Sequence, residues 1–199
     1  MICKPNQVRN VLQLTIWCQI TEKGKIMKDR YLFKAKRLNW REFPEKEQWI
    51  TGYYVLGFNE YEQPVHLIFE PTSIFSSHGK TDGWIEVDPS TICQCTGLKD
   101  KNGNLIWEND IVDFLGHKGT VVFECGSFGI AYKTPIDWNG IEANIKSITG
   151  CDNRLYACEN DNYISLWEIY WNFNDEDDSV DTVEVIGNIF DNPKARDNR

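Results

Sequence analysis

A mainly β fold, assembled from short antiparallel strands, is what this sequence predicts, on three observations. Aromatic residues make up 13% of the 199 residues, with 8 Trp, 8 Tyr and 10 Phe, and such rings favour sheet faces over helices. Short apolar or alternating runs recur along the chain, the strand pattern of period two. Gly, Asn and Pro punctuate these runs at roughly eight- to ten-residue spacing, which describes a meander, a sandwich or a small barrel.

Taken in order, "RYLFKAKRL" sets Tyr31, Phe33 and Ala35 on one face of a strand and Leu32, Lys34 and Lys36 on the other. "EFPEKEQ" is a polar corner around Pro44. "WITGYYVLGF", Trp49 to Phe58, is a strand rich in aromatic and β-branched residues, and "QPVHLIFEP" is another, closed by Pro71. "TSIFSSHGKTDG" reads as a loop, "WIEVD" as a short strand stopped by Pro89, and "STICQCTGL" as the next strand.

Asn102-Gly103 predicts a two-residue turn with positive φ at both central positions, supported by local hydrogen bonds from Asp100 and Asn104. Glu108-Asn109-Asp110 is the following corner, where Asn accepts the left-handed conformation at low cost. "IVDFL", "TVVFE" and "IAYK" are strands separated by turns at "GHKG" and "CGSFG". Beyond Pro135 the pattern weakens. "WNGIEANIKSITGCDN" reads as irregular, and "NYISLWEIYWNF" fits either a strand or a short buried helix. "NDEDDSVD" is a solvated acidic loop, "TVEVIGNIF" the final strand, and "DNPKARDNR" a polar tail.

Residues 1–26 stand apart. They hold four basic residues and one acid, against 17 basic and 29 acidic residues in the remainder. Glu22-Lys23-Gly24 back-translates to a purine tract shortly before Met27, resembling a ribosome-binding site. Translation is therefore expected to start at Met27, with 1–26 a non-native or poorly packed extension. The ordinary alternative is one more strand or helix, and intact-mass measurement from native upstream DNA decides between them. The expected division continues with 27–95 as an N-terminal β-rich part, 96–193 as a small-barrel part and 194–199 as a tail.

The formal charge of −9 opposes a nucleic-acid-binding role, which needs a positive surface to displace counterions. One local strip qualifies: Lys28 to Arg41 carries six basic residues and one Asp, and Lys34 and Lys36 are its candidate contacts. The competing reading is a solvated strand face. No stretch reaches the roughly 18 apolar residues of a membrane helix, and no signal-peptide cleavage pattern follows Val11–Ile20, so a cytoplasmic protein is expected. Seven cysteines without even spacing fit reduced thiols. Cys93 and Cys95 would share one face of a strand and one core layer, while Cys151 and Cys158 are too loosely spaced to complete a zinc site.

Catalytic signatures are missing. His66 falls within a strand, and His78 and His117 in turns. A Cys125–His117 nucleophile pair lacks an orienting third group, and "CGSFG" is not a nucleophile elbow. With no P-loop, dinucleotide fingerprint or H-E-x-x-H, neither cofactor nor metal is expected, and the protein is read as a non-enzyme.

"TGLKDKNGNLIWENDIV" (Thr96 to Val112) and "VEVIGNIFDNP" (Val183 to Pro193) closely resemble the two signature segments of the YopX proteins. "YLFKAKRL", "WITGYYV" and "WIEVDPSTICQCTG" also resemble longer members, so the likeness runs from Met27 to Pro193. Two departures stand out: the family usually has Gly at the position of Asn109 and a Tyr near Cys95. The resemblance implies a protein of phages or prophages, a C-terminal part like a Src-homology-3 barrel, and no established activity. It carries over no functional residues.

A binding or adaptor role toward a host or phage protein follows as the expectation, the net charge favouring basic partners. Trp84, Trp107, Phe114 and Phe128 are the candidate groove aromatics, although core packing is the commoner role of such rings. Nucleic-acid binding through 28–41 is the alternative. DNA mimicry by the acidic tract from Asp175 to Asp181 is a third.

Overall fold

The computed structural model describes residues 29–70, 83–124, 126–141, 143, 162–173, 179–180 and 182–192. The segment 1–26, the loop at 71–82 with His78, the thiols of Cys125, Cys151 and Cys158, and most of the tract from Asp175 to Asp181 lie outside them.

Two sheets make up the fold. In the first, β1 (Phe33–Lys36) sits between β2 (Trp49–Phe58) and β5 (Cys93–Asp100), and β3 (Pro64–Phe69) and β4 (Trp84–Glu86) extend the β2 side. β6 (Leu105–Trp107) and the two-residue β11 (Ser179–Val180) also pair with β5, the latter in parallel. β5 therefore crosses the expected boundary at 95/96 and ties both halves into one sheet. The polar corner before β2 is a 3-10 turn at Trp40–Glu42 followed by a single helical turn, α1 (Glu45–Gln48). The sheet curls until Arg37, just past β1, bridges Val87, just past β4. Its inner face closes around Ala35, Ile50, Ile68 and Val87.

The second sheet runs β10 (Tyr163–Ser165), β9 (Ser127–Ala131), β8 (His117–Glu124), β7 (Asp110–Phe114), β12 (Val183–Asn188). β10 and β12 remain its two edges, so this sheet does not close into a barrel among the described residues, in contrast to the Src-homology-3-like barrel that the resemblance implied for this part. "NYISLWEIYWNF" proves to be strand and helix in succession: β10, then α2 (Leu166–Phe173). Ser165 marks the switch, its hydroxyl accepting the Trp167 N–H (3.3 Å) as a helix cap. Leu166 and Ile169 then pack with Val112, Phe114, Val121, Phe128, Ile130 and Ile164 in the main core.

The turn at Asn102-Gly103 reverses the chain as expected, with different geometry. Gly103 N–H bonds Asp100 O (2.9 Å), Asp100 N–H bonds Asn104 O (2.8 Å), and only Gly103 has positive φ, at +82°. This is a three-residue loop ending in a left-handed glycine rather than the expected two-residue turn. The two-residue turn with both φ positive occurs instead at Leu115 (+52°) and Gly116 (+89°), leaving His117 in β8 and not in the turn. Asn109 adopts φ +67°, the conformation its residue type tolerates best after glycine.

Candidate functional site

The outer face of the first sheet holds the molecule's most unusual chemistry. Side chains directly opposite in an antiparallel ladder project to one side, so the register defines that face row by row. Lys36 stands opposite Trp49, and Lys34 opposite Thr51. Tyr53, Phe69 and Trp84 form the next row, and Val55, Leu67 and Glu86 the one after.

The first half of the face is covered. Lys34 Nζ lies 5.3 Å from the centres of both the Trp49 and Trp107 rings, and Lys36 Nζ lies 4.0 Å from Trp40 and 5.4 Å from Trp49. The result is an alternating stack, Trp107, Lys34, Trp49, Lys36, Trp40, with Trp49 shared. Each cation–π contact contributes about 0.5–2 kcal/mol, more as water is excluded. Carboxylates finish both lysines. Lys34 pairs with Asp110 at 2.7 Å and Lys36 with Asp191 at 2.6 Å. Lys36 also donates to Gln48 Oε1, and Trp49 Nε1–H donates to Asp191 Oδ2 at 2.9 Å. Phe190 meets Trp49 edge-on, and Cys93, Cys95 and Trp107 complete the packed layer.

The charges behave accordingly. Burial pushes the Asp110 carboxyl above its usual range, against the opposing pull of the Lys34 ammonium and the Trp107 N–H. Burial also works to raise Asp191, but hydrogen bonds from Lys36, Asn188 and Trp49 outweigh it and hold that carboxyl low. Loss of solvent drives Cys93 to about 12 and Cys95 to about 11, so both remain thiols at neutral pH. Asp100 has no exposed surface. Burial would raise it too, yet N–H donors from Val185, Asn104 and Asn102, with the Asn104 side chain, hold it below its ordinary value. The Val185 bond, 3.0 Å, fastens the hairpin to β12 of the second sheet.

Among the described residues nothing covers the second half of the face. Tyr53 is 41% exposed and Trp84 46%, and Phe69 packs on Trp84 with ring centres 4.9 Å apart. Val55 is exposed beside half-buried Leu67. On the opposite side of β2 Leu56 and Phe58 are exposed too, and Tyr61 stands at the hairpin tip, the last two 69% and 74% exposed. Six of the eleven exposed large hydrophobic residues among those described lie on this β2–β3–β4 ribbon.

The residues singled out in the sequence therefore scatter. Phe114 and Phe128 are sealed in the main core, because the helix α2 closes over their sheet, and they line no groove. Trp107 is buried on the covered half of the outer face, and Trp84 alone of the four stands open to solvent. Lys34 and Lys36 form neither a solvated face nor a phosphate-binding strip, since tryptophans and carboxylates enclose both. Trp40, Trp49, Gln48 and Asp191 were missed. Asp191, read as the start of a polar tail, is 142 residues from its tryptophan partner, and no local pattern announces it. Tyr53, Val55 and Phe58 were read as strand without being read as surface.

His66 accepts or donates a 2.8 Å hydrogen bond with the Tyr54 hydroxyl and stacks on its ring. A cleft of about 690 Å3 opens at the turn end of the second sheet, lined by Ile111, His117, Lys118, Tyr132, Lys133 and Asp137 among others. Among the described residues no cluster of His, Cys, Asp and Glu has the composition to hold a metal ion. No helix among them is long and apolar enough to cross a membrane.

Fold and site together define a mainly β protein with two antiparallel sheets, bound by a buried lysine–tryptophan stack and carrying an uncovered aromatic face. Residues 39–195 match the family profile described as YopX protein, and the chain belongs to that family. The match begins after β1, so Lys34 and Lys36 lie just outside it. No curated protein matches the chain.

Proposed function

We propose that this is a non-catalytic binding or adaptor module that docks a protein partner, of host or phage origin, on the outer face of the β2–β3–β4 ribbon. The carrying observation is the bare aromatic row of Tyr53, Phe69 and Trp84 with Val55 and Leu67 beside it. A contiguous exposed apolar patch costs solubility and marks an interaction surface, and aromatic residues dominate the energetics of protein interfaces. The nucleic-acid reading loses its main support, because Lys34 and Lys36 are spent inside the fold. The test is affinity capture from producing cells with tagged wild type and with Tyr53→Ser/Trp84→Ser, with and without nuclease. A specific protein retained by wild type, indifferent to nuclease and lost from the variant, is the expected result. Retention unchanged in the variant, or abolished by nuclease, overturns the reading.

A further inference from the structure

Resting on that reading of the outer face, we propose that its occupant is a basic amphipathic segment, with apolar side chains flanked by Lys or Arg. The charge distribution carries this. Residues 49–70 and 83–88, which build the ribbon, contain Glu60, Glu62, Glu70, Glu86 and Asp88 and no Lys or Arg. One of these carboxylates borders the apolar rows directly, and two more stand at the tip of the same ribbon. Glu86 stands opposite Leu67 at the edge of the outer face, and Glu60 and Glu62 flank Tyr61 at the hairpin tip, all three exposed. An apolar patch rimmed by charge of one sign steers and selects a partner of the other sign.

The covered half of the same face shows what such a partner would do. There the chain satisfies an aromatic surface with its own cations: ammonium groups against Trp49, carboxylates beyond them, and an apolar ring, Phe190, set edge-on against it. Tyr53, Phe69 and Trp84 repeat the aromatic element four positions further along β2, with Glu86 supplying the carboxylate and no cation from the described residues stacked on these rings. A Lys or Arg beside apolar residues of the partner completes the same chemistry.

Fluorescence anisotropy with three short labelled peptides tests this on the full chain: one alternating Leu and Lys, one alternating Leu and Glu, one alternating Ser and Lys. The Leu–Lys peptide is expected to bind about tenfold or more tightly than either control, and to weaken as salt rises from about 50 to 200 mM. Tyr53→Ser/Trp84→Ser abolishes this binding. Glu60→Lys/Glu62→Lys/Glu86→Lys weakens it about tenfold and flattens its salt dependence. Unchanged urea-unfolding midpoints show that both variants remain folded; Val55→Ser replaces the first, and Glu86→Lys alone the second, where one does not.

Equal binding of the Leu–Glu peptide, or indifference to the charge reversal, overturns the basic-partner inference. The apolar docking reading then survives if the Tyr53/Trp84 variant still loses binding. Equal binding of the Ser–Lys peptide, no binding of the Leu–Lys peptide by wild type, or its indifference to both variants overturns the inference as well. Indifference to both variants also counts against the outer face as a docking surface.

Discussion

Trp49 and Tyr53 stand on one face of one strand, and their surroundings are opposite. Around Trp49 the chain has folded back on itself: Trp107 arrives from β6, Phe190 and Asp191 from beyond β12, and two lysines are held between the rings. Around Tyr53, four residues along, the neighbours are Phe69 and Trp84 in the same sheet, and nothing among the described residues lies above them. Charged side chains are thus buried and aromatic ones exposed, the reverse of what residue type alone suggests. Burial is decided by whether another part of the chain arrives to cover a surface. Once covered, lysine is tolerated because each ammonium has both a ring and a carboxylate to replace water.

The largest expected effect comes from dismantling the covered half. Lys34→Met leaves the nearly inaccessible Asp110 carboxylate without its partner and is expected to cost about 3–5 kcal/mol in urea unfolding. Adding Asp110→Asn, which keeps an acceptor for the Trp107 N–H, recovers much of that loss. An additive double variant would show that the pair is not coupled.

Gly52 comes next and lies between the two regions. A Cβ there would run into the Phe69 carbonyl, so Gly52→Ala is expected to cost about 1–3 kcal/mol even though its neighbour Tyr53 is freely replaceable. The unfolding midpoint checks it.

Asp100 has a pH signature. Its folded pKa is held below the ordinary carboxylate value, so its contribution is fully present above about pH 4 and is lost as pH falls through the folded value. Asp100→Asn is expected to be about 1–3 kcal/mol less stable at neutral pH. The variant's stability falls less steeply on acidification, which urea midpoints across the acid range measure.

Gly103→Ala meets open space, and its expected loss of about 1 kcal/mol is backbone strain alone. Smallest of all is the bare half: Tyr53→Ser or Trp84→Ser is expected to move stability by under about 1 kcal/mol while removing the partner. A larger loss would mean that the face is already covered.

Much of the fold could be read locally. The strands at 49–58 and around 64–69 and 93–100, the left-handed Asn109 and the shared layer of Cys93 and Cys95 follow from alternation, turn chemistry and strand parity. Parity also placed Lys34 and Lys36 together on one face. Their burial could not be read, because the residues that cover them come from positions around 107, 110 and 190. "WITGYYVLGF" was legible as a strand, but nothing local told its covered end at Trp49 from its open end at Tyr53 and Val55.

The sequence by itself determined the β class, most strand positions, the reversal at 100–104 and the family, because period-two patterning and turn propensity act over a few residues. The tertiary structure alone decided that α2 seals Phe114 and Phe128 away, that Asp191 closes over Lys36, and that Tyr53 and Trp84 face water. Those outcomes depend on contacts between distant segments, whose cost in chain entropy and gain in buried area are settled only when the whole chain has found its place.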